Sequence, residues 1–152
     1  MAQDHWSEIL KLDFVAGFDS SQDYSDLELS TAEVADLITA HRAYGVIRFD
    51  VATGGLFYSE DACNIVGIPP TEGSVNVADL LRHTHPDDVQ LVSSAFPAAI
   101  RYKSGFHAIF RYQRDGEYRF LRIVAKWRDG GDAGELIGVI YEFYDHLRVA
   151  GM

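Results

Sequence analysis

A chain of 152 residues, 47% apolar and 12% aromatic, can bury the core of one ordinary domain and is too apolar for a disordered one. Its formal net charge of −10 argues against unspecific attraction to nucleic acid or anionic lipid. Cys63 is the only cysteine, which leaves neither an intramolecular disulfide nor a cysteine-built zinc cage.

No apolar run reaches the length of a membrane span, and no charged-then-apolar leader precedes a cleavage site, so no membrane partner and a cytoplasmic location are expected. The charge is uneven: residues 1–29 set seven acids against Lys11 alone, a net of −6, while residues 30–152 hold the other −4. The change near Ser30 divides the chain into an acidic extension over 1–29, a core domain over 30–146 and a tail over 147–152. In the extension, Trp6, Ile9 and Leu10 recur at helical spacing, with Phe14 and Val15 a turn further on. That spacing predicts an amphipathic helix docked on the domain or on a second subunit, since a solvated tail has no reason to gather such side chains on one side. Gly17 to Asp26, rich in Ser and Asp, reads as a connecting loop.

Ser30-Thr31-Ala32-Glu33 is a capping box, and Val34, Leu37 and Ile38 form the apolar stripe of the helix it starts. Gly45 is expected to end that helix and begin a strand, Val46 to Asp50, with Gly54-Gly55 turning into a second, Leu56 to Tyr58. Ser59 caps a short helix with Ala62, Ile65 and Val66 inward; it stops at Gly67, before Pro69-Pro70. Val77 to Arg82 supply another turn or two. The long helix opens at Pro86, which suits a first helical position, and Asp87 and Asp88 set negative charge against its positive end. Val89, Val92 and Phe96 share one face, and at Pro97 the helix must kink or restart.

Three strands complete the chain: Phe106 to Gln113, Glu117 to Arg128 and Glu135 to Tyr144, the first two joined by a tight turn in which Gly116 can take a positive φ. Leu121, Ile123, Ala125 and Trp127 alternate toward the helices. In the last strand both registers are largely apolar: Leu136 and Ile140 on one face, Ile137, Val139, Tyr141 and Phe143 on the other. A one-sided sheet alternates apolar with polar, so something is expected to cover the outer face. The leader helix and a second subunit are the candidates, and a homodimer using both is expected.

Thr84-His85-Pro86-Asp87-Asp88, followed one helix later by Phe110-Arg111-Tyr112-Gln113-Arg114-Asp115-Gly116-Glu117-Tyr118-Arg119-Phe120, resembles the PAS family. More closely, it resembles the subfamily with a His-Pro-Asp-Asp helix start and an Arg…Asp-Gly…Tyr-Arg hairpin. The likeness runs from near Ala43 to near Asp145, with Gly67 and Gly138 also at family positions. It departs at Ile109, where the family often has glutamate, and at Phe120, where it often has tryptophan. The family's Asp-Ile-Thr exit is replaced by Glu142-Phe143-Tyr144, and His146 to Met152 are too few for an effector, so the chain either stands alone or belongs to a longer one. The resemblance implies an α+β PAS fold, a five-stranded antiparallel sheet with helices on one face, here with an N-terminal helical extension. It also implies a ligand cavity between sheet and helices.

For that cavity the lining residues are Ile47, Phe49, Val66, Val92, Phe96, Phe110, Leu121, Ile123 and Trp127, with Tyr112 or Asn64 to orient a ligand; the alternative is that they pack as a dry core. The interaction surface comprises Trp6, Ile9, Leu10, Phe14, Val139, Tyr141 and Phe143. His83-Thr84-His85-Pro86-Asp87-Asp88 superficially matches a binuclear zinc hydrolase signature, but no second ligand cluster follows and a helix start is the better reading. Haem, held by His107 or His83, is a rival reading, although no histidine lies between Asp87 and Tyr102. LOV-type flavin chemistry is disfavoured, because Cys63 sits in Asp61-Ala62-Cys63-Asn64-Ile65, the wrong helix and context. Arg111, Arg119 and Arg122 are interleaved with acids, which speaks against nucleic-acid binding. The expected function is a dimeric sensory or interaction module that passes a small-ligand or protein signal to a partner regulator. The rivals are a haem-based gas or redox sensor and a small α+β cavity enzyme of isomerase or lyase type, for which Asp50 and Asp79 are the only acids near apolar runs.

Overall fold

Two hairpins and one closing strand make the sheet around which everything else is arranged. The computed structural model describes residues 24–40 and 42–143. In chain order the elements are α1 (Thr31–Thr39), β1 (Gly45–Asp50), β2 (Gly55–Tyr58), α2 (Glu60–Val66), α3 (Val77–His83), α4 (Val89–Tyr102), β3 (Phe106–Arg114), β4 (Glu117–Arg128) and β5 (Glu135–Glu142). Short 3-10 turns occupy Ser25–Leu27 and Pro86–Asp88. All neighbouring strands are antiparallel, in the order β2-β1-β5-β4-β3. The expected α+β fold and five-stranded sheet are therefore present. The helix expected around Trp6, Ile9, Leu10 and Phe14 lies outside the described residues, as do Tyr144 and the tail.

Alternation along the strands decides which face meets the helices. Ile47, Phe49, Leu56, Phe106, Ala108, Phe110, Leu121, Ile123, Leu136 and Ile140 are buried on one face, and Ala62, Val66, Leu80, Val92, Ala95, Phe96 and Ala99 meet them from the helices. Phe96 packs its ring against Phe49 at 5.4 Å and Phe106 at 5.2 Å, so one helical side chain joins two sheet positions. Burial of each large apolar side chain among them, alanines excepted, stabilises the fold by about 1.5–3 kcal/mol. The hairpin turn has Asp115 and Gly116 at φ 53° and 80°, the paired left-handed conformation a two-residue turn between twisted strands demands.

Local signals fix how α2 sits. The Ser59 hydroxyl accepts from the Ala62 N–H, capping the helix, and also from the Val46 N–H at 2.9 Å, tying the cap to β1. Gly45 lies under the helix: a Cβ there would overlap the Cα and Cβ of Ala62, so only glycine lets strand and helix approach this closely. Gly45 is thus a strand residue, and α1 ends at Thr39 rather than running up to it.

Two further expectations change. The helix does not restart at Pro97; α4 runs through it, with Pro97 exposed while Val92, Ala95, Phe96 and Ala99 are buried against the sheet. One missing N–H on the solvent side costs less than those contacts return. In α1 the capping box forms as expected, with the Ser30 N–H donating to Glu33 at 3.0 Å and the Glu33 N–H to Ser30 at 3.1 Å. Its apolar stripe does not enter the core, however: Leu37 and Ile38 are exposed, and no residue of the helix is buried.

The outer face of the sheet is apolar along its middle. Cross-strand pairing lines up Val46, Val139 and Val124, beside Arg48, Ile137 and Lys126. Val46 is 57% exposed, and Ile137, Val139 and Val124 are half-buried. Tyr141 on the same face is buried, with Tyr44 at 4.7 Å, the Arg42 guanidinium over its ring and its hydroxyl accepting from Arg122 at 2.9 Å.

Candidate functional site

The His-Pro-Asp-Asp start of the long helix and the arginine-rich hairpin meet in space as one clasp. Both oxygens of buried Asp88 accept from Arg111: Nε and the backbone N–H reach Oδ2, and Nη2 reaches Oδ1, each at 2.8 Å. Burial works against the Asp88 charge, but the Arg111 hydrogen bonds outweigh it and hold the carboxyl below its ordinary range. The same hydrogen bonds raise the Arg111 guanidinium further above its already high value. The His85 N–H donates to the Arg111 carbonyl at 2.8 Å, its Nδ1 accepts from the Asp87 N–H, and its ring lies 4.8 Å from that of Tyr118. Asp88 makes no side-chain cap to α4; its charge serves β3 instead.

One step along β3, on the inner face, Tyr112 turns the clasp into the wall of a cleft. Its hydroxyl donates to the Val66 carbonyl at the end of α2, 3.1 Å away, and Arg114 Nη1 donates to the Ile65 carbonyl at 3.4 Å. The hairpin thereby holds the C-terminus of α2 away from α3, and the chain between them, Ile68-Pro69-Pro70-Thr71, bridges the gap. A cleft of about 400 Å³ results, within the range of small-molecule sites. Val66, Leu80 and Tyr112 form its buried floor; Tyr58, Ile68 and Val75 are half-buried sides; Pro69, Pro70, Thr71, Asp79, Arg82 and His83 make an exposed rim. Burial raises the Tyr58 and Tyr112 phenols above their ordinary values, so both stay protonated near neutral pH. At the rim Asp79 and Arg82 pair at 3.0 Å, and the His83 ring stands 5.8 Å from Tyr112.

The nine residues named as cavity lining divide sharply. Ile47, Phe49, Val92, Phe96, Phe110, Leu121 and Ile123 are buried together between sheet and helices, with half-buried Trp127 packed against them. Val66 alone of the nine also lines the cleft. Tyr112 stands in the cleft wall, whereas Asn64 is exposed on α2 and not part of it. Tyr58, Ile68, Val75 and Leu80 were not among the residues the sequence pointed to, and His83 was singled out there only as a metal or haem ligand. The available signal was Pro69-Pro70 directly after Gly67, a stiff segment unable to continue the helix. Val139 and Phe143 are half-buried and Tyr141 buried at the outer face, while their expected partners Trp6, Ile9, Leu10 and Phe14 fall outside the described residues.

Other chemistry finds its residues otherwise engaged. In the zinc-like motif, the Thr84 hydroxyl donates to Leu80, His85 caps a turn and Asp88 is bound by Arg111. No group of three metal-binding side chains occurs among the described residues. Of the two histidines considered for haem, His107 belongs to the outward register of β3, between buried Phe106 and Ala108, and His83 is exposed at the cleft rim. Neither reaches the core between sheet and helices. Asp50 accepts from Ala52 and Thr53 in its own turn, and Asp79 pairs with Arg82, so neither is a poised general base.

The molecule is thus a five-stranded antiparallel sheet with β5 at its centre, three helices on one face and a helix start clasped to a hairpin. The family model described as PAS fold matches residues 55–140, more than half of the chain, and the chain belongs to the PAS family. It is similar in structure to the N-terminal domain of a diguanylate cyclase with PAS/PAC sensor from Marinobacter aquaeolei. That match has 19% identity and a TM-score of 0.57, over 65% of this chain and 94% of that one. It is also similar to a sensory box histidine kinase/response regulator from Burkholderia thailandensis, at 20% identity and a TM-score of 0.58 over 78% and 91%. No curated protein matches the sequence. Among the described residues no helix is long and apolar enough to cross a membrane.

Proposed function

We propose that this PAS domain, spanning residues 30–146, is a cytoplasmic sensory and interaction module for signal transduction, acting as a homodimer on a separate regulator. The observation that carries the reading is the outer face of the sheet: Val46 is 57% exposed beside Val139, Val124 and Ile137, a continuous apolar strip on a chain of net charge −10. Among the solved structures it resembles are the N-terminal domain of a diguanylate cyclase with PAS/PAC sensor and a sensory box histidine kinase/response regulator, which supports a signalling module. In this reading the leader side chains Trp6, Ile9, Leu10 and Phe14 complete the interface over Val139, Tyr141 and Phe143. A signal acts by shifting how that face pairs.

Sedimentation velocity at micromolar concentration tests the proposal. The chain is expected to run as a dimer, and Val46→Asp, placed at an exposed strand position, to run as a folded monomer. Charging Trp6 and Ile9 together is expected to weaken the dimer. A wild-type monomer, or dimers indifferent to all three changes, would count against it.

A further inference from the structure

We propose that Arg122, in the middle of the outer sheet face, forms an ion pair with Asp13 of the same chain. Residues 1–23 then cover the β4–β5 half of that face and leave Val46 to a second subunit. This seat deepens the reading above, in which the leader joins the interface, and depends on it. The starting point is a cation in an apolar place. Ile109, Arg122 and Tyr141 form one cross-strand row, and Phe120 and Val124 flank Arg122 on the same face of β4. The half-buried guanidinium donates from Nη1 to the Tyr141 hydroxyl at 2.9 Å. Its Nε, however, is shut off from water without a hydrogen-bond partner, and no carboxylate of the described residues pairs with it. The other arginines of the face are provided for: Arg48 and Arg128 share Glu135, and Arg111 has Asp88. A charge half withdrawn from water, with one neutral partner, loses free energy until an anion engages it.

The outer face of a second copy cannot supply that anion. Glu135 is held by two arginines and Asp50 by its own turn, and symmetric pairing brings up another Arg122 instead. The leader can supply it. With about 100° between successive helical residues, Trp6, Ile9, Leu10 and Phe14 span one arc; Asp13 falls inside that arc, while Asp4 and Glu8 fall opposite. An acid within an apolar stripe needs a cation on the surface the stripe meets, and Arg122 within an apolar strip needs an acid. Overall charge agrees. Residues 1–23 set five acids against Lys11, and on the sheet face Arg48, Arg111, Arg122, Lys126 and Arg128 outnumber Asp50 and Glu135. Reach is ample, since the eleven residue steps from Asp13 to Tyr24 extend to roughly 36–40 Å, enough to cross a domain of this size.

Hydrogen exchange of the isotopically labelled full chain, read by amide NMR, tests the pair. Protection of at least about tenfold is expected over Ile9 to Phe14. Asp13→Asn and Arg122→Gln should each remove most of it, since one charged hydrogen bond is worth about tenfold or more. Asp13→Lys and Arg122→Glu should do the same singly, and the two together should restore protection, a rescue that misfolding cannot imitate. Glu8→Gln, on the far side of the leader, should leave protection unchanged. Three results would each overturn the pairing: a leader that exchanges freely in wild type, protection indifferent to Asp13→Asn and Arg122→Gln, or a reversed pair without rescue while the amides of β3 to β5 stay slow. The Val46→Asp monomer decides ownership. Protection that survives there belongs to the leader's own chain, whereas protection lost there would hand the seat to the second subunit and overturn the in-chain pair. Sedimentation of the same samples reports on the dimer alone, so failure of the pair and failure of the dimer are told apart.

Discussion

Asp88→Asn isolates the bond between the helix start and the hairpin with minimal change of shape. Asp88 is 2% exposed, and its carboxylate receives three hydrogen bonds of 2.8 Å from a single arginine, one of them from the backbone. An amide oxygen in the Oδ2 position can still accept from Nε and the backbone N–H of Arg111, but its NH₂ then points at Nη2. Removing one partner of a buried pair costs about 3–5 kcal/mol. Because the Arg111 side chain remains 25% exposed and can recruit water, the lower end, about 3 kcal/mol, is expected. In urea unfolding, with a slope of about 1–3 kcal/mol per molar, the midpoint should fall by roughly 1–3 M. Pairing the substitution with Arg111→Met removes the stranded guanidinium, so the double variant should lose less than the two single losses combined.

The acid limb gives an independent check. The Asp88 carboxyl is held below its ordinary range, so its stabilisation is complete above the unfolded aspartate value of about 3.9 and disappears as pH falls through the folded value. The gap between wild type and Asp88→Asn must therefore be widest near neutrality and close in acid. A loss under about 1 kcal/mol at neutral pH, or a gap unchanged in acid, would refute the account.

Gly45→Ala should lower stability by about 1–3 kcal/mol through overpacking, since the new methyl meets the backbone of Ala62; an unchanged thermal midpoint would show that α2 can lift at no cost. Ser30→Ala removes half of the capping box of a helix that buries nothing, so hydrogen exchange should quicken in Val34 to Ile38 while global unfolding stays put. Equal slowing or quickening everywhere would mean that α1 belongs to the cooperative core.

The strands and caps were legible because their causes are local. Alternation of Leu121, Ile123, Ala125 and Trp127, the Asp115-Gly116 turn and the Ser59 and Ser30 caps each depend on residues a few positions apart. Asp88 was read as a partner for the helix dipole, whereas both its oxygens go to a residue 23 positions later, a contact that spacing cannot reveal. The cleft was hidden for a related reason. It arises where a loop stands off the sheet, so its walls come from four separate elements and two prolines rather than from any apolar run. Likewise the stripe Val34, Leu37 and Ile38 has the same pattern whether it meets the core or stays outside it, and only packing distinguishes the two.

The place of β5 in the sheet sets the order in which this domain can come into being. It is the last of the five strands to leave the ribosome, yet it lies between β1 and β4 and is bonded to both. Until it arrives, the nascent chain holds two separate hairpins, each with one apolar face and one unsatisfied strand edge. Closure then joins Gly45 to Ile140 across nearly the whole domain, a long-range step that slows folding and prolongs the exposure of those edges. A chain stalled before Glu135 would be left with two open edges seeking a strand, and another molecule's β5 is the segment best shaped to fill them.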